Sequence, residues 1–441
     1  MKDSDVVPER LGPTNAPSRL ARRLGTGDAV VIGLGSMIGA GVFVAIAPAA
    51  RAAGAGLLYG LVVAGFVAYC NATSSARLAA LYPESGGTYV YGRRRLGAGW
   101  GYLAGWSFVV GKLASCAAMA LTFAHYVAPG LARPLAIAAT LALTAVNLAG
   151  IGKTAALTRA IVALVLLALA TFVAAALLGG TVSSGHLSSL SDATPLGVLR
   201  AAGLLFFAFA GYARVATLGE EVADPARTIP RAIPIALAIT VVVYAAVALG
   251  ALLAAGPAPV AASAAPLRTV LESGSLARVV PVVEIGAAIA SLGVLLSLLA
   301  GVSRTIFAMA SNADLPRPLA AVSRRSKVPH YAEIAVALVV VAVVSLADVR
   351  VAIGFSSFCV LIYYAIANVA ALTLRGAIPR IALAAFGLVG CAVLAFSLPP
   401  RSVIAGATVV VVGVGVYAAQ RWKRAKEPSG SSETSIRFPE S

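Results

Sequence analysis

The residues of this chain that could do chemistry are few, and they are not arranged for covalent catalysis. His125, His186 and His330 are scattered, and neither an H-E-x-x-H nor a C-x-x-C spacing occurs, so no metal site is expected. Cys70, Cys116, Cys359 and Cys391 fall in apolar stretches without paired spacing and read as small hydrophobes. The informative feature is backbone. Gly35-Ser36-Met37-Ile38-Gly39-Ala40-Gly41 interrupts the first apolar segment, and irregular backbone at hydrocarbon depth survives only where it lines a cavity. A helix broken there exposes amides and carbonyls that can replace water around a small zwitterion or ion, which points to transport. The Gly35/Gly39 spacing also suits a close helix–helix contact. A second run, Leu204-Leu205-Phe206-Phe207-Ala208-Phe209-Ala210-Gly211-Tyr212, puts aromatic and small residues at mid-depth of another apolar segment, and polar residues follow early. Two cations also lie inside apolar segments, Lys112 and, about one turn after the second run, Arg214. An ionisable group there costs about 3 kcal/mol unless paired and is a functional candidate by default. Lys112 can trade a proton, against the alternatives of snorkelling or a static ion pair. Arg214 stays charged, so its expected role is binding or gating.

The elements that must position these residues are membrane helices. Of 441 residues, 60% are hydrophobic and 12% charged, with mean hydropathy +0.92, a composition that excludes an ordinary soluble domain. Twelve candidate spans run over 29–50, 57–78, 99–127, 134–148, 161–178, 196–217, 233–255, 279–309, 332–346, 351–374, 381–398 and 403–419. The polar, basic stretch before the first span is not a signal peptide. The net charge of +17 is distributed as membrane proteins distribute it. With the N-terminus inside, 25 Lys and Arg are cytoplasmic, 7 are in outer loops and 2 are in spans, together all 34. That asymmetry puts both termini in the cytoplasm of a multi-pass cell-membrane protein. No aromatic-interleaved basic surface accompanies the charge, so nucleic acid is not an expected partner and the lipid bilayer is.

Interruptions in spans one and six imply a repeat. Five spans is an odd number, so a second five-span unit enters the membrane inverted, and matched interruptions mark a central binding site. The expected fold is an all-α integral membrane protein of about 12 transmembrane helices. It comprises a five-plus-five inverted repeat with helices 1 and 6 broken, plus two accessory helices. The corresponding divisions are a cytoplasmic tail 1–26, repeats 27–178 and 179–374, accessory helices 375–420 and a cytoplasmic tail 421–441.

Gly35 to Phe43 resembles the first-helix signature of the amino acid–polyamine–organocation superfamily. Tyr82-Pro83-Glu84-Ser85-Gly86-Gly87-Thr88-Tyr89-Val90-Tyr91 looks like that family's first cytoplasmic loop. Phe206 to Pro225, with Gly219-Glu220-Glu221-Val222-Ala223-Asp224-Pro225 and Arg227-Thr228-Ile229-Pro230, is similar to the cationic amino acid transporter branch. Ser303-Arg304 through Leu315-Pro316 resembles the segment after helix eight. The resemblance covers most of the first ten helices, with the motifs in family order. It implies that the substrate carboxylate is held by free amides of Ile38, Gly39, Ala40 and Gly41. A half-helix N-terminus favours an anion there. It also implies that the substrate ammonium meets carbonyls of Phe206, Phe207, Ala208 and Ala210, with Phe207 as an aromatic gate. On this reading a leucine at Gly41 blocks the carboxylate without disturbing the fold.

The chain departs from the branch in two places. Ala213 and Arg214 stand where an acid and a small polar residue are common, which puts basic-amino-acid specificity in doubt. The stretch Ile161 to Leu166 is wholly apolar where some proton-coupled relatives carry a lysine. Helix eight offers Ser291, Ser297 and Ser303 without an adjacent hydroxyl pair, so sodium coupling is disfavoured. The expected activity is secondary transport of a small-molecule amino acid by alternating access, coupled to protons. The alternatives are amino acid or polyamine exchange without net ion coupling and a nontransporting nutrient sensor. No enzyme activity and no cofactor are expected, and ATP-driven transport lacks its phosphate-binding loop.

Overall fold

The structure, a computed structural model, describes residues 24–82, 86–150, 155–179, 182–212, 215 and 222–426. Among these residues every regular element is helical, and the only strand-like pairing is an isolated bridge between Leu24 and Val222. Eleven helical stretches are long and apolar enough to cross a membrane, and a twelfth apolar helix, His330–Leu346, is shorter at 17 residues. In order they follow the twelve spans expected from sequence. The two tails fall largely outside the described residues, as do Glu84, Ala213, Arg214, Glu220 and Glu221.

The first span is not one helix. It consists of α1 (Thr26–Met37), α2 (Ala40–Val44) and α3 (Ile46–Ala53). A single 3-10 turn at Gly54–Gly56, with Gly54 at φ +56°, then reverses the chain into α4 (Leu57–Leu81). A short helix α5 (Thr88–Leu96) precedes α6 (Ala98–Val127), α7 (Ala132–Leu148) and α8 (Ala155–Leu178). The sixth span, α9 (Pro195–Phe209), stops early in a 3-10 turn, Ala210–Tyr212. There follow α10 (Pro225–Ala255), two short helices α11 (Pro257–Ala262) and α12 (Pro266–Glu272), and α13 (Val280–Ser311). Last come α14 (His330–Leu346), α15 (Val349–Leu372), α16 (Ile378–Ser397) and α17 (Pro400–Lys426). The final helix carries on past the expected end of its span into the basic cluster that includes Arg421.

Helix starts are set by short polar side chains that satisfy orphan amides. Thr194 Oγ1 accepts from Gly197 N (3.1 Å), Asp224 from Arg227 N (3.3 Å) and Asp348 from Val351 N (2.9 Å). Two of these helices also begin with proline, Pro195 and Pro225, whose missing N–H costs nothing there. Helices then pack through small residues, because hydrocarbon supplies no hydrophobic drive for helix association. Gly60 of α4 meets Ala201 and the Ala202 backbone of α9 so closely that a Cβ would stand 3.0 Å from each.

Burial sorts the helices by position. The central helix is α6, 78% buried over its apolar window, and it packs on α13, α15, α7 and α14. The peripheral α16 and α17 are 28% and 17% buried, which suits helices whose outer faces meet lipid. Packing between the helices is reciprocal. α1 lies on α10 as α4 lies on α9, and α6 lies on α15 as α8 lies on α13.

Candidate functional site

The break in the first span is a change of backbone direction at Ile38 and Gly39. The Ile38 amide still donates to Leu34 O (2.6 Å), closing α1. Gly39 then adopts φ −96°, ψ −147°, and α2 opens at Ala40. The first amides of a helix have no partner within it, so the donors without a partner inside α2 are those of Gly39, Ala40, Gly41 and Val42. Of the expected amides, that of Ile38 is taken by α1, while Gly39 and Gly41 line the cavity described below.

The second break faces the first. Gly211 lies so close to α1 that a Cβ there would stand 2.1 Å from Ser36 O, and a Cβ on Gly41 would stand 2.8 Å from Ala208 Cα. Glycine at these two positions is what lets the breaks touch. A leucine at Gly41 would drive into the backbone of α9, so the expectation that it spares the fold is corrected. Tyrosine hydroxyls from neighbouring helices reach carbonyls at both breaks. The Tyr244 hydroxyl of α10 lies against Met37 O and against Ala208 O (3.0 Å), and Tyr364 of α15 donates to Ala210 O (3.2 Å). Phe206 O accepts from Ala210 N in the helix ladder, and the Phe206 ring is fully buried edge-on against Tyr364. Phe206 is thus a packing residue. Phe207, Ala208 and Ala210 face open space.

That space is a cavity of about 470 Å³. Both breaks line it, through Gly35, Ser36, Met37, Gly39 and Gly41 on one side and Phe207, Ala208, Ala210 and Gly211 on the other. One face of α6 contributes Phe108, Lys112, Ser115 and Met119, at spacings that bring residues to one side of a helix. The α13 helix adds Val294, Ser297, Leu298, Arg304 and Thr305. Lys112 is 8% exposed, and no carboxylate among the described residues forms an ion pair with it. The structure therefore brings Lys112 to the same wall as the two breaks. Arg304 joins it as a second cation, and no acidic side chain lines the cavity among the described residues.

The cavity extends toward α5, where Gly86 and Tyr89 line it and Arg304 is exposed. Tyr89 donates to Asp314 (2.8 Å) and Arg93 pairs with the same carboxylate oxygen (2.6 Å), tying α5 to the end of α13. Burial, and then the hydrogen bond to Asp314, holds the Tyr89 hydroxyl proton well above the ordinary phenol range. Beyond the first break, α2 packs against α6 and α12. Phe43 and Tyr126 meet edge to face at 5.8 Å, Tyr126 donates to Phe43 O (2.8 Å), and Leu267 N of α12 donates to the Tyr126 oxygen (3.3 Å). All three side chains are fully buried. Arg268 ties α12 to α13 through Glu284 (3.1 Å) and pairs within α12 with Glu272 (2.7 Å). The bond to Glu272 holds its guanidinium more firmly charged.

Tyr244, Tyr364 and Arg304 were not legible as site residues. Tyr244 did carry a signal, since a phenol inside Val241-Val242-Val243-Tyr244-Ala245-Ala246-Val247 must find a hydrogen-bond partner.

A helical membrane bundle with two facing breaks around a cavity defines a solute carrier. The chain belongs to the amino acid permease family, which it matches over residues 28–434. It is 60% identical to an uncharacterized transporter of Mycobacterium tuberculosis, over 96% of this chain and 98% of that protein. It is 28% identical to the branched-chain amino acid permease BcaP of Bacillus subtilis, over 74% and 75% of the two chains. It is 27% identical to the vacuolar cationic amino acid transporter 2 of Arabidopsis thaliana, over 81% of this chain and 60% of that protein.

Proposed function

We propose that this protein moves a neutral amino acid across the cytoplasmic membrane by alternating access, with proton coupling. The observation that carries the reading is the cavity between the two breaks, lined toward α5 by Gly86 and Tyr89. The substrate carboxylate would take the amides from Gly39 to Val42. Its ammonium would face the carbonyls of Phe207, Ala208 and Ala210, at the negative end of α9. Phe207 and Met119 would bound the side chain. Lys112 and Arg304 in the wall oppose a basic side chain, while the apolar faces of Met37, Phe108, Val294 and Leu298 suit an uncharged one. The similarity to a branched-chain amino acid permease fits that choice.

In this reading the α5 end is cytoplasmic. The arginines of α5 (Arg93, Arg94, Arg95) and Arg421, which lies over the Tyr417 ring, are gathered there, as the positive-inside rule requires. Both termini are then cytoplasmic, and the conformation described is the inward-facing one. The reciprocal packing of α1 on α10 and α4 on α9 supports an inverted repeat divided between residues 178 and 179, with α16 and α17 as accessory helices. Lys112 takes part in coupling, and Arg214, which follows the second break in sequence, in gating or binding.

The test is a thermal-stabilisation screen of the purified protein with the twenty proteinogenic amino acids, followed by proteoliposome uptake with and without an inward-directed proton gradient. Neutral amino acids should stabilise the protein and accumulate only with the gradient. No stabilisation and no uptake for any amino acid would overturn the reading.

A further inference from the structure

Arginines from three helices gather on the loop between α15 and α16. Arg77 sits one turn before the end of α4, and its Nη1 donates to Arg380 O in the first turn of α16 (3.3 Å). A Cβ on Gly376 would stand 3.1 Å from Arg77 Nη2, so the guanidinium lies on the backbone of the loop that carries Arg375. From α5, Arg95 holds the start of the same loop, with Nε donating to Thr373 Oγ1 (2.7 Å) and Nη2 to Thr373 O (2.5 Å). The Arg375 and Arg380 side chains are exposed, and none of these four arginines forms an ion pair among the described residues. Like charges gathered in this way repel, and the oxygens that hold Arg77 and Arg95 cancel none of the charge.

Away from this cluster the same surface turns apolar. Along α4 the exposed residues Tyr69, Phe66 and Val62 continue the face of Arg77 at helical spacing. Phe66 meets Phe386 of α16 edge to face at 6.3 Å, and both rings are half-exposed. A Cβ on Gly390 of α16 would stand 2.6 Å from Val67 of α4, so the two helices close together behind the rings. From Arg77 to Phe66 is about 16 Å of helix, the depth of one leaflet in a hydrocarbon core about 30 Å thick. Cations therefore stand one leaflet's depth from an exposed aromatic pair, along a single cleft between two helices.

We infer that the cleft between α4 and α16 binds one anionic phospholipid, its phosphate held by Arg77, Arg375 and Arg380 and its acyl chains lying over Phe66 and Phe386. A general excess of basic residues at a membrane face needs only charge, which lysine supplies as well. Here every cation on the loop is an arginine, whose planar fork of donors matches phosphate oxygens in pairs. Arg77 is already held in place by its bond to Arg380 O, so little order has to be gained when the phosphate arrives. A free phosphate would meet the charge but leave the apolar stripe bare, whereas a diacyl phosphodiester covers both. A zwitterionic headgroup brings an ammonium that the arginines repel. Bound lipid would fasten the peripheral α16, 28% buried over its apolar window, to α4. The site does not depend on what the protein carries.

Native mass spectrometry of the full chain in detergent tests the site with three probes: dioleoylphosphatidylglycerol, dioleoylphosphatidylcholine and inorganic phosphate. The wild type should retain a single phosphatidylglycerol in preference to phosphatidylcholine, and of the three probes only phosphatidylglycerol should raise its melting temperature. The double variant Arg77→Lys, Arg380→Lys keeps every charge but loses the forks, and should weaken that retention about tenfold, the loss of one charge-assisted hydrogen bond. Phe386→Ala should weaken retention of the dioleoyl lipid while leaving the preference for the anionic headgroup. Should the double variant fail to fold, Arg380→Gln decides alone, because its exposed side chain has no partner to lose among the described residues. Arg401→Lys, exposed in the first turn of α17 at the opposite membrane face, is the control and should retain the lipid as wild type does. Equal retention of the two lipids, or retention unchanged in the arginine variants, would overturn the site. Many lipids bound without saturation would reduce it to an ordinary lipid annulus, and equal stabilisation by phosphate alone would make it a site for a free anion; either result overturns the proposal.

Discussion

Gly211 and Ser36 belong to different broken helices, yet a single methyl group on Gly211 would lie 2.1 Å from the Ser36 carbonyl oxygen. The contact is backbone on backbone, so no side chain can swing aside to relieve it. Gly211→Ala should force the breaks apart at a cost of about 1–3 kcal/mol, the range for overpacking a filled interior. The expected outcome is a lower melting temperature in detergent and loss of substrate-induced stabilisation. Gly415, where a Cβ would meet nothing within 4 Å, is the control and should tolerate alanine.

Tyr244→Phe tests the hydroxyl that serves both breaks. It removes one proton donor from between Met37 O and Ala208 O and leaves both carbonyls buried. Leaving a buried polar group unsatisfied costs about 1–3 kcal/mol. Melting should report that loss, whereas Tyr59→Phe, at a half-exposed ring, should be neutral.

The α5 latch predicts an alkaline effect. The Tyr89 phenol is buried and hydrogen-bonded to Asp314, so it resists ionisation in the folded protein more than in the unfolded chain, whose phenol titrates near 10.0. Its contribution is fully present below pH 10 and is lost as pH rises through the higher folded value. Tyr89→Phe should therefore flatten the fall of melting temperature above pH 10 relative to wild type. An equally steep fall in the variant would remove Tyr89 from the latch.

Orientation has its own measurement. Gly185 lies exposed in the 3-10 turn Ser184–Leu190, whose His186 bonds to Leu253 O near the end of α10. The four native cysteines are buried, so background labelling is low. A cysteine at Gly185 should react with an impermeant thiol reagent added to intact cells. Reaction only after the inner face is opened would reverse the proposed topology.

What the sequence made legible was whatever depends on local composition. The apolar spans were readable because hydrocarbon imposes a length, and the breaks because Gly35 to Gly41 cannot continue a helix there without reason. Lys112 was readable as a charge out of place. The engagement of the Ile38 amide was not readable because capping depends on where the last helical bond falls, and Ile38 N donating to Leu34 O is a geometric fact without a compositional mark. Tyr364 and Arg304 were invisible for another reason: their role comes from helices far apart in sequence meeting at Ala210 and at the cavity.

The last expectation concerns Lys112. Its ammonium stands in the wall formed by α6, one turn from Phe108 and facing the same space as both breaks, with no ion pair among the described residues. A charge maintained there without a partner costs about 3 kcal/mol, which is tolerable if the group changes charge during the cycle. Lys112→Met keeps the length and the apolar stem but removes the titration. Proton-gradient-driven accumulation should then fall to the level seen without a gradient, while exchange of internal for external substrate continues. Exchange persists because it needs the binding site and the conformational change but no net proton movement. Lys112→Met that still concentrates substrate would make the lysine structural. Loss of exchange together with accumulation would place Lys112 in substrate binding, a distinction that a Lys112→Arg variant sharpens. Arginine retains the charge but cannot release it, so the variant should bind substrate while accumulation fails.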